Sequence, residues 1–148
     1  MSDPCDLGAQ EARTAIQRGE LSPVELTRSC LERLSELNPK LNAVIGRCDE
    51  TALDNARAAE AQLQDGTATG VLHGLPVAIK DLQATQGLVT TYGTEFYKDH
   101  VPTEDSGIVA RVKTAGGIVI GKTNIPEMSI GANTINRIFG ATGNPYAP

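Results

Sequence analysis

Residues 116–124 read Gly116-Gly117-Ile118-Val119-Ile120-Gly121-Lys122-Thr123-Asn124, and two incompatible folds depend on how they are taken. As a string, Gly116 to Thr123 satisfies G-x-x-x-x-G-K-[ST], the loop that cradles nucleotide phosphates. As a hydrophobicity pattern, Ile118-Val119-Ile120 is an apolar run without polar alternation, which describes a strand buried on both faces. A phosphate loop needs a strand before its first glycine and a helix starting at the Lys-Thr. Here the order is reversed. Residues 105–115 carry a helical pattern, with Asp105 as cap and Ile108, Val109, Val112 and Ala115 on one face, and Gly116-Gly117 end it. The wildcard positions are then strand residues, whose N–H groups bond neighbouring strands and cannot converge on a phosphate. Asn124-Ile125-Pro126 suits a loop or a later helix start. The strand reading prevails.

Working upstream, Gly74-Leu75-Pro76-Val77-Ala78-Ile79-Lys80-Asp81 is a short apolar run ending in two opposite charges. Strand, helix and strand in succession predict a right-handed βαβ unit. The 24 residues from Leu82 to Asp105 are too long for an idle connection and are expected to line a site. Side chains alternate along a strand, so Val77 and Ile79 share one face while Ala78 and Lys80 share the other. An ammonium at the end of a buried strand loses hydration, which favours the neutral amine. A neutral amine takes a proton from a hydroxyl nucleophile, and strand ends of α/β folds are where sites gather. The competing reading is a lysine that reaches solvent or pairs with Asp81.

The first third reads as helix. Ser22-Pro23-Val24-Glu25 is a capping box with proline at the first helical position. Val24, Leu31, Leu34 and Leu37 continue the stripe until Asn38-Pro39, which predicts a stop. A weaker helix spans residues 7–18 and ends at Gly19. Residues 41–47 suit a short strand. Asp49 is the expected cap of a further helix with Ala52, Ala56, Ala59 and Leu63 at helical spacing, closed by Gly66. Residues 65–70 are small and polar between glycines, a linker pattern. Residues 1–66 therefore form a helical lead-in, and residues 67–148 begin a core built on the βαβ unit.

Composition narrows the function classes. The chain has 148 residues, 40% hydrophobic and 21% charged, with three Tyr, two Phe and no Trp, so its core is built from Leu, Ile, Val and Ala. A net charge of -5 without a basic cluster gives nucleic acid no electrostatic footing. No apolar stretch approaches the ~20 residues of a membrane span, and the opening MSDPCDLG lacks a signal peptide's basic and apolar regions. Cys5, Cys30 and Cys48 are odd in number and form no C-x-x-C, which suits free thiols in a reducing cytoplasm and offers no zinc site. His73 and His100 lack the pattern of a Ser-His-Asp triad and read as surface loop residues. Gly140-Ala141-Thr142-Gly143 follows no clear strand and reads as loop.

The series Gly74–Asp81, Thr90-Thr91-Tyr92-Gly93, Ala115–Asn124, Phe139-Gly140 and Asn144-Pro145 resembles the amidase signature family in order and spacing from about Gly70 to the last residue. The resemblance implies an α/β fold, a mixed sheet covered by helices, of which this chain is an incomplete N-terminal portion. It implies hydrolysis of carboxylic amides, or release of ammonia from glutamine, by a Ser–cis-Ser–Lys triad with no metal or cofactor. By resemblance Lys80 is the triad lysine and general base. Asp81 and Asn124 are structural supports near the site, and Met128 and Ser129 approach the substrate pocket. The family's triad serines lie in and beyond a Gly/Ser-rich stretch after the Asn-Pro element. This chain stops at Asn144–Pro148, before that stretch, and none of Ser2, Ser22, Ser29, Ser35, Ser106 and Ser129 has such a context.

The expectation is an amidase fragment, inactive alone because a base without its nucleophile retains little rate. Its partners would be a small amide substrate, the missing C-terminal part of its own chain, and either a second copy in a homodimer or amidotransferase subunits. It should also leave apolar sheet edge and helix faces exposed. Two other classes compete: a nucleotide hydrolase using Gly116 to Thr123, and a non-catalytic module that binds a partner.

Overall fold

A computed structural model describes residues 3–67 and 70–146. In chain order they form α1 (Ala9–Gln17), α2 (Pro23–Leu41), β1 (Val44–Arg47), α3 (Asp49–Gln64), β2 (Pro76–Lys80), α4 (Gly107–Thr114), β3 (Ile118–Thr123), β4 (Ile135–Asn136) and β5 (Gly140–Ala141), with 3-10 turns at Pro4–Asp6, Glu95–Tyr97 and Glu127–Ser129. Ala68 and Thr69 of the predicted linker lie outside the described residues, as does Ser2.

The first sheet has the order β1-β3-β2. β1 runs antiparallel to β3, with Val44 opposite Thr123, Gly46 opposite Lys122 and Arg47 opposite Gly121. Ile118 N–H donates to Leu75 O at 2.8 Å and Asp81 N–H to Thr123 O at 3.1 Å. The two bonds advance along both strands in the same sense, so β2 and β3 are parallel, with α4 between them in the chain. This is a mixed sheet in an α/β fold. All of Ile118 to Lys122 is buried, as a strand without polar alternation requires. β4 and β5 form a separate antiparallel hairpin, where a loop was expected. Asn136 makes the difference: its Oδ1 accepts from Ile138 N at 3.0 Å and Phe139 N at 2.8 Å, closing the turn.

The chain divides into two compact units, each drawn from separate stretches. One comprises the described residues of Met1–Leu34, Cys48–Val77 and Arg111–Ile120. Its core is two aliphatic clusters. Leu31, Ala52, Ala56, Ala59, Ile118 and Ile120 form the first; the small alanines, spaced four and three apart, give α3 a flat stripe that approaches the strand closely. Ala12, Ile16, Leu21, Leu26 and Leu75 form the second. Burying a side chain such as Ile16 contributes about 1.5–3 kcal/mol. Ser22 Oγ accepts from Val24 N at 3.0 Å and Glu25 N at 3.3 Å, the predicted cap of α2. α3 starts differently: Cys48 is its N-cap but makes no side-chain capping bond, and Asp49 is its first residue, where its charge still faces the positive end of the helix dipole. His73 is buried rather than superficial, because its Nε2 meets Ala59 O at 2.9 Å and so satisfies a buried polar ring.

The other unit comprises Ser35–Arg47, Ala78–Ala110 and the described residues of Gly121–Pro148. It contains the last turns of α2, which pass through Pro39 instead of stopping there. Proline forgoes one helical hydrogen bond, and Asn38 offsets it. The Asn38 carbonyl accepts from Asn42 N at 2.7 Å, while its side chain binds Val44 O, Ala43 N and Val44 N at 2.7, 2.9 and 2.8 Å. At the start of α4 it is Ser106 that caps, its carbonyl accepting from Ala110 N at 2.9 Å and its hydroxyl from Val109 N at 3.5 Å. The Asp105 carboxylate accepts from Gln86 N at 2.8 Å and so ties the long 82–105 segment.

Candidate active site

β2 delivers Lys80 and Asp81 to the same place with opposite fates. Alternation holds as expected: Ile79 is buried while Ala78 and Lys80 are exposed. Among the described residues no hydrogen bond or ion pair engages the Lys80 amine, which stands in water. The dehydrated lysine of this chain is Lys122. Its side chain is 1% exposed, and its stem runs past Gly46, where an added Cβ would lie 3.6 Å from Lys122 Cβ. Lys122 Nζ donates to Gln83 O at 2.5 Å, Thr85 Oγ1 at 3.0 Å and Thr90 Oγ1 at 2.9 Å. All three ammonium protons are thus accepted by the segment that follows Lys80.

The Asp81 carboxylate lies 3.9 Å from that ammonium. It accepts from Thr91 N at 3.2 and 3.1 Å and from Thr91 Oγ1 at 2.5 Å. Burial pushes the Asp81 carboxyl up, against its Thr91 bonds and Lys122. Burial likewise pushes the Lys122 ammonium down to about 8, against Asp81 and Asp105. Both move toward their neutral forms, because dehydration costs each charge more than its partner's attraction returns.

Lys122 ends the phosphate-loop reading. Gly121-Lys122-Thr123 continue β3 and pair with β1, and the lysine has no surface to offer a nucleotide. Gly121 is required by packing: a Cβ there would collide with the Gly46 carbonyl oxygen and lie 3.0 Å from Val44 Cγ1. The signal that locates the buried lysine was present in the sequence. Lys122 shares a strand face with Ile118 and Ile120, and a strand buried on both faces buries any residue it carries.

The remaining predicted residues cluster through backbone bonds. Thr91 Oγ1 also accepts from Gly93 N at 3.0 Å, and the Tyr92 carbonyl accepts from Met128 N at 2.7 Å. Tyr92, Met128 and Ser129 have left-handed φ of 53°, 50° and 61°. Gly93 (φ 69°) admits no side chain, since a Cβ would lie 2.9 Å from Pro126 O. Met128 is 47% exposed and Ser129 half-buried. Asn124 is buried and joins a third group: its Nδ2 donates to Gly140 O at 3.2 Å and Thr142 Oγ1 at 3.1 Å, and its Oδ1 accepts from Asn136 Nδ2 at 2.7 Å. His100 is exposed and stacks on Tyr92, ring centroids 6.1 Å apart. Among the described residues no group of three or more His, Cys, Asp or Glu could hold a metal ion. No described helix is long and apolar enough to cross a membrane.

The candidate site thus combines a lysine at a strand exit, a buried ion pair behind it and an Asn-linked hairpin. The family model for amidases matches residues 25–148. The chain belongs to the amidase signature family. This amidase-family chain is 43% identical over 136 residues, 92% of its own length, to a glutamyl-tRNA(Gln) amidotransferase subunit of Azoarcus sp. strain BH72, and covers 28% of that protein. Its fold matches a bacterial aryl acylamidase of the amidase signature family at a TM-score of 0.88, with 28% identity, covering 95% of this chain and 29% of that one. It matches the native peptide amidase of Stenotrophomonas maltophilia at 0.85, with 31% identity, covering 95% and 30%. The chain spans 27 to 30% of the length of these curated relatives.

Proposed function

We propose that the complete protein is an amide hydrolase in which Lys80 is the general base of a Ser–cis-Ser–Lys triad. The observation that carries this is the family match over residues 25–148, joined to the position of Lys80: at the exit of a parallel strand, exposed and unengaged, while Lys122 is locked away. In this reading the Lys80 amine accepts the proton of a bridging serine, which accepts that of the nucleophilic serine. The serine oxygen adds to the amide carbonyl carbon. The C–N bond then breaks as the proton passes to the leaving nitrogen, and water releases the acid from the acyl-enzyme. In this reading both serines are supplied by the complete protein. Four of the five described serines hold structural posts: Ser22 and Ser106 cap helices, Ser29 bonds Asp3 and Ser35 accepts from Arg47; the fifth is Ser129.

Residues 1–66 act as lead-in and 67–148 as the first part of the catalytic core. Asp81 and Asn124 support the site, and Met128 and Ser129 approach the substrate. The free cysteines suit a cytoplasmic enzyme. A second reading, the glutamine-hydrolysing subunit of a tRNA-dependent amidotransferase working with other subunits, is favoured by relatives at 38 and 43% identity that carry that name. Glutaminase activity that rises with partner subunits separates it from a free-standing amidase, which hydrolyses small amides alone.

The test is Lys80→Ala in the complete protein with aliphatic amides, aryl amides and glutamine as substrates. Loss of general-base catalysis lowers kcat/KM by about 100- to 10,000-fold. Turnover that survives the substitution would remove Lys80 from the mechanism.

A further inference from the structure

Lys122, the largest fully buried side chain of the described residues, takes no part in the triad chemistry. It is held by Asp81, Thr85 and Thr90, and Asp81 in turn by Thr91, each at most 1% exposed. No substrate reaches it, so it touches no reacting atom. Its contacts nevertheless converge on the chain that leaves Lys80. Asp81 is the next residue, and Gln83 and Thr85 are the turn after it. Thr90 and Thr91 bring the segment back, and Thr91 passes the connection on through Tyr92 O to Met128 N. One caged ammonium therefore holds both the exit of the Lys80 strand and the start of the Met128-Ser129 turn, two segments that lie far apart in the sequence.

We propose that Lys122 is a positioning residue of the Lys80 site: its ammonium, held by Gln83 O, Thr85, Thr90 and Asp81, fixes the turn after Lys80 and, by way of Thr91 and Tyr92, the Met128-Ser129 turn. The inference rests on Lys80 being the base. A salt bridge would serve fold stability poorly here, since burying both charges returns little net energy over an apolar pair. What a caged ammonium adds is direction. Three donors in fixed geometry select one path for residues 81–93, where an apolar core would accept several. A base displaced by about 1 Å loses on the order of 100-fold in rate.

The experiment uses the complete protein with Lys122→Met, the double variant Asp81→Asn with Lys122→Met, and Lys80→Ala as reference. Met fills the volume of the stem without charge, but alone it leaves Asp81 buried and unpaired, so this variant is allowed to fail in folding. The double variant leaves no buried charge and is expected to melt within a few degrees of wild type. With Tm recovered, kcat is expected to stay on the order of 100-fold low, with KM within threefold, because substrate still binds while the base is misaimed. A double variant that regains both Tm and wild-type kcat overturns the inference and makes the cage merely structural. A double variant that does not fold while Lys122→Met folds and turns over normally overturns it as well. Turnover surviving Lys80→Ala is a different failure, of the site assignment beneath it.

Discussion

A lysine with a 1% exposed side chain gives the protein a titration that solvent-exposed lysines lack. Burial holds the Lys122 ammonium down to about 8, from an ordinary 10.5. Between those two pH values the unfolded chain keeps a proton that the folded chain has released. Unfolding then takes up a proton, so stability rises with pH across that window and the penalty is fully present below about pH 8. The full excursion amounts to about 3 kcal/mol. Cys30 acts in the opposite sense: burial raises its thiol to about 11 from 9.0, so stability falls as pH climbs between those values. The lysine's contribution is therefore read as a difference. Urea unfolding of wild type and of the Asp81→Asn, Lys122→Met double variant should show the wild type gaining relative to the variant from about pH 8 to 10.5. A difference that stays flat across that range would mean the ammonium is as free as in water.

Helix and strand ends are where local chemistry was readable and where it was also overruled. Ser22 caps α2 as its spacing with Glu25 announced, and Ser22→Ala should cost about 1 kcal/mol, measured as a shift in denaturant midpoint with unchanged slope. No shift would mean that water replaces the hydroxyl. The far end of the same helix was misread, because Asn38 compensates Pro39 through partners at Ala43 and Val44 that lie beyond the helix. The same limit explains His73, whose partner Ala59 O comes from α3, whereas the Asn136 turn is closed by local bonds to Ile138 and Phe139 and only its link to Asn124 is distant. β3 was legible for the opposite reason. An apolar run between glycines following a helix leaves a buried strand as the consistent assignment, and that assignment also disqualified the nucleotide loop.

For the whole molecule, the chain spans under a third of its relatives' length, and its surface carries large apolar side chains in water: Phe96 at 94%, Ile130 at 83% and Ile135 at 60% exposure. Residues 1–148 alone are expected to bind a hydrophobic dye and to self-associate as concentration rises, and to show no amide turnover. Light scattering and an amide assay on purified residues 1–148 check this. A dye-silent monomer, or turnover abolished by Lys80→Ala, would contradict it. Family, fold class, the strand that carries Lys80 and the aliphatic character of the core followed from residue order, because hydrophobic period and turn chemistry act over a few residues at a time. That Lys80 lies in water, which groups cage Lys122, and how Asp81 reaches Thr91 and Tyr92 reaches Met128, were settled by tertiary structure. An apolar strand announces burial, but hydrogen-bond partners depend on what other segments bring alongside, and no local pattern records that.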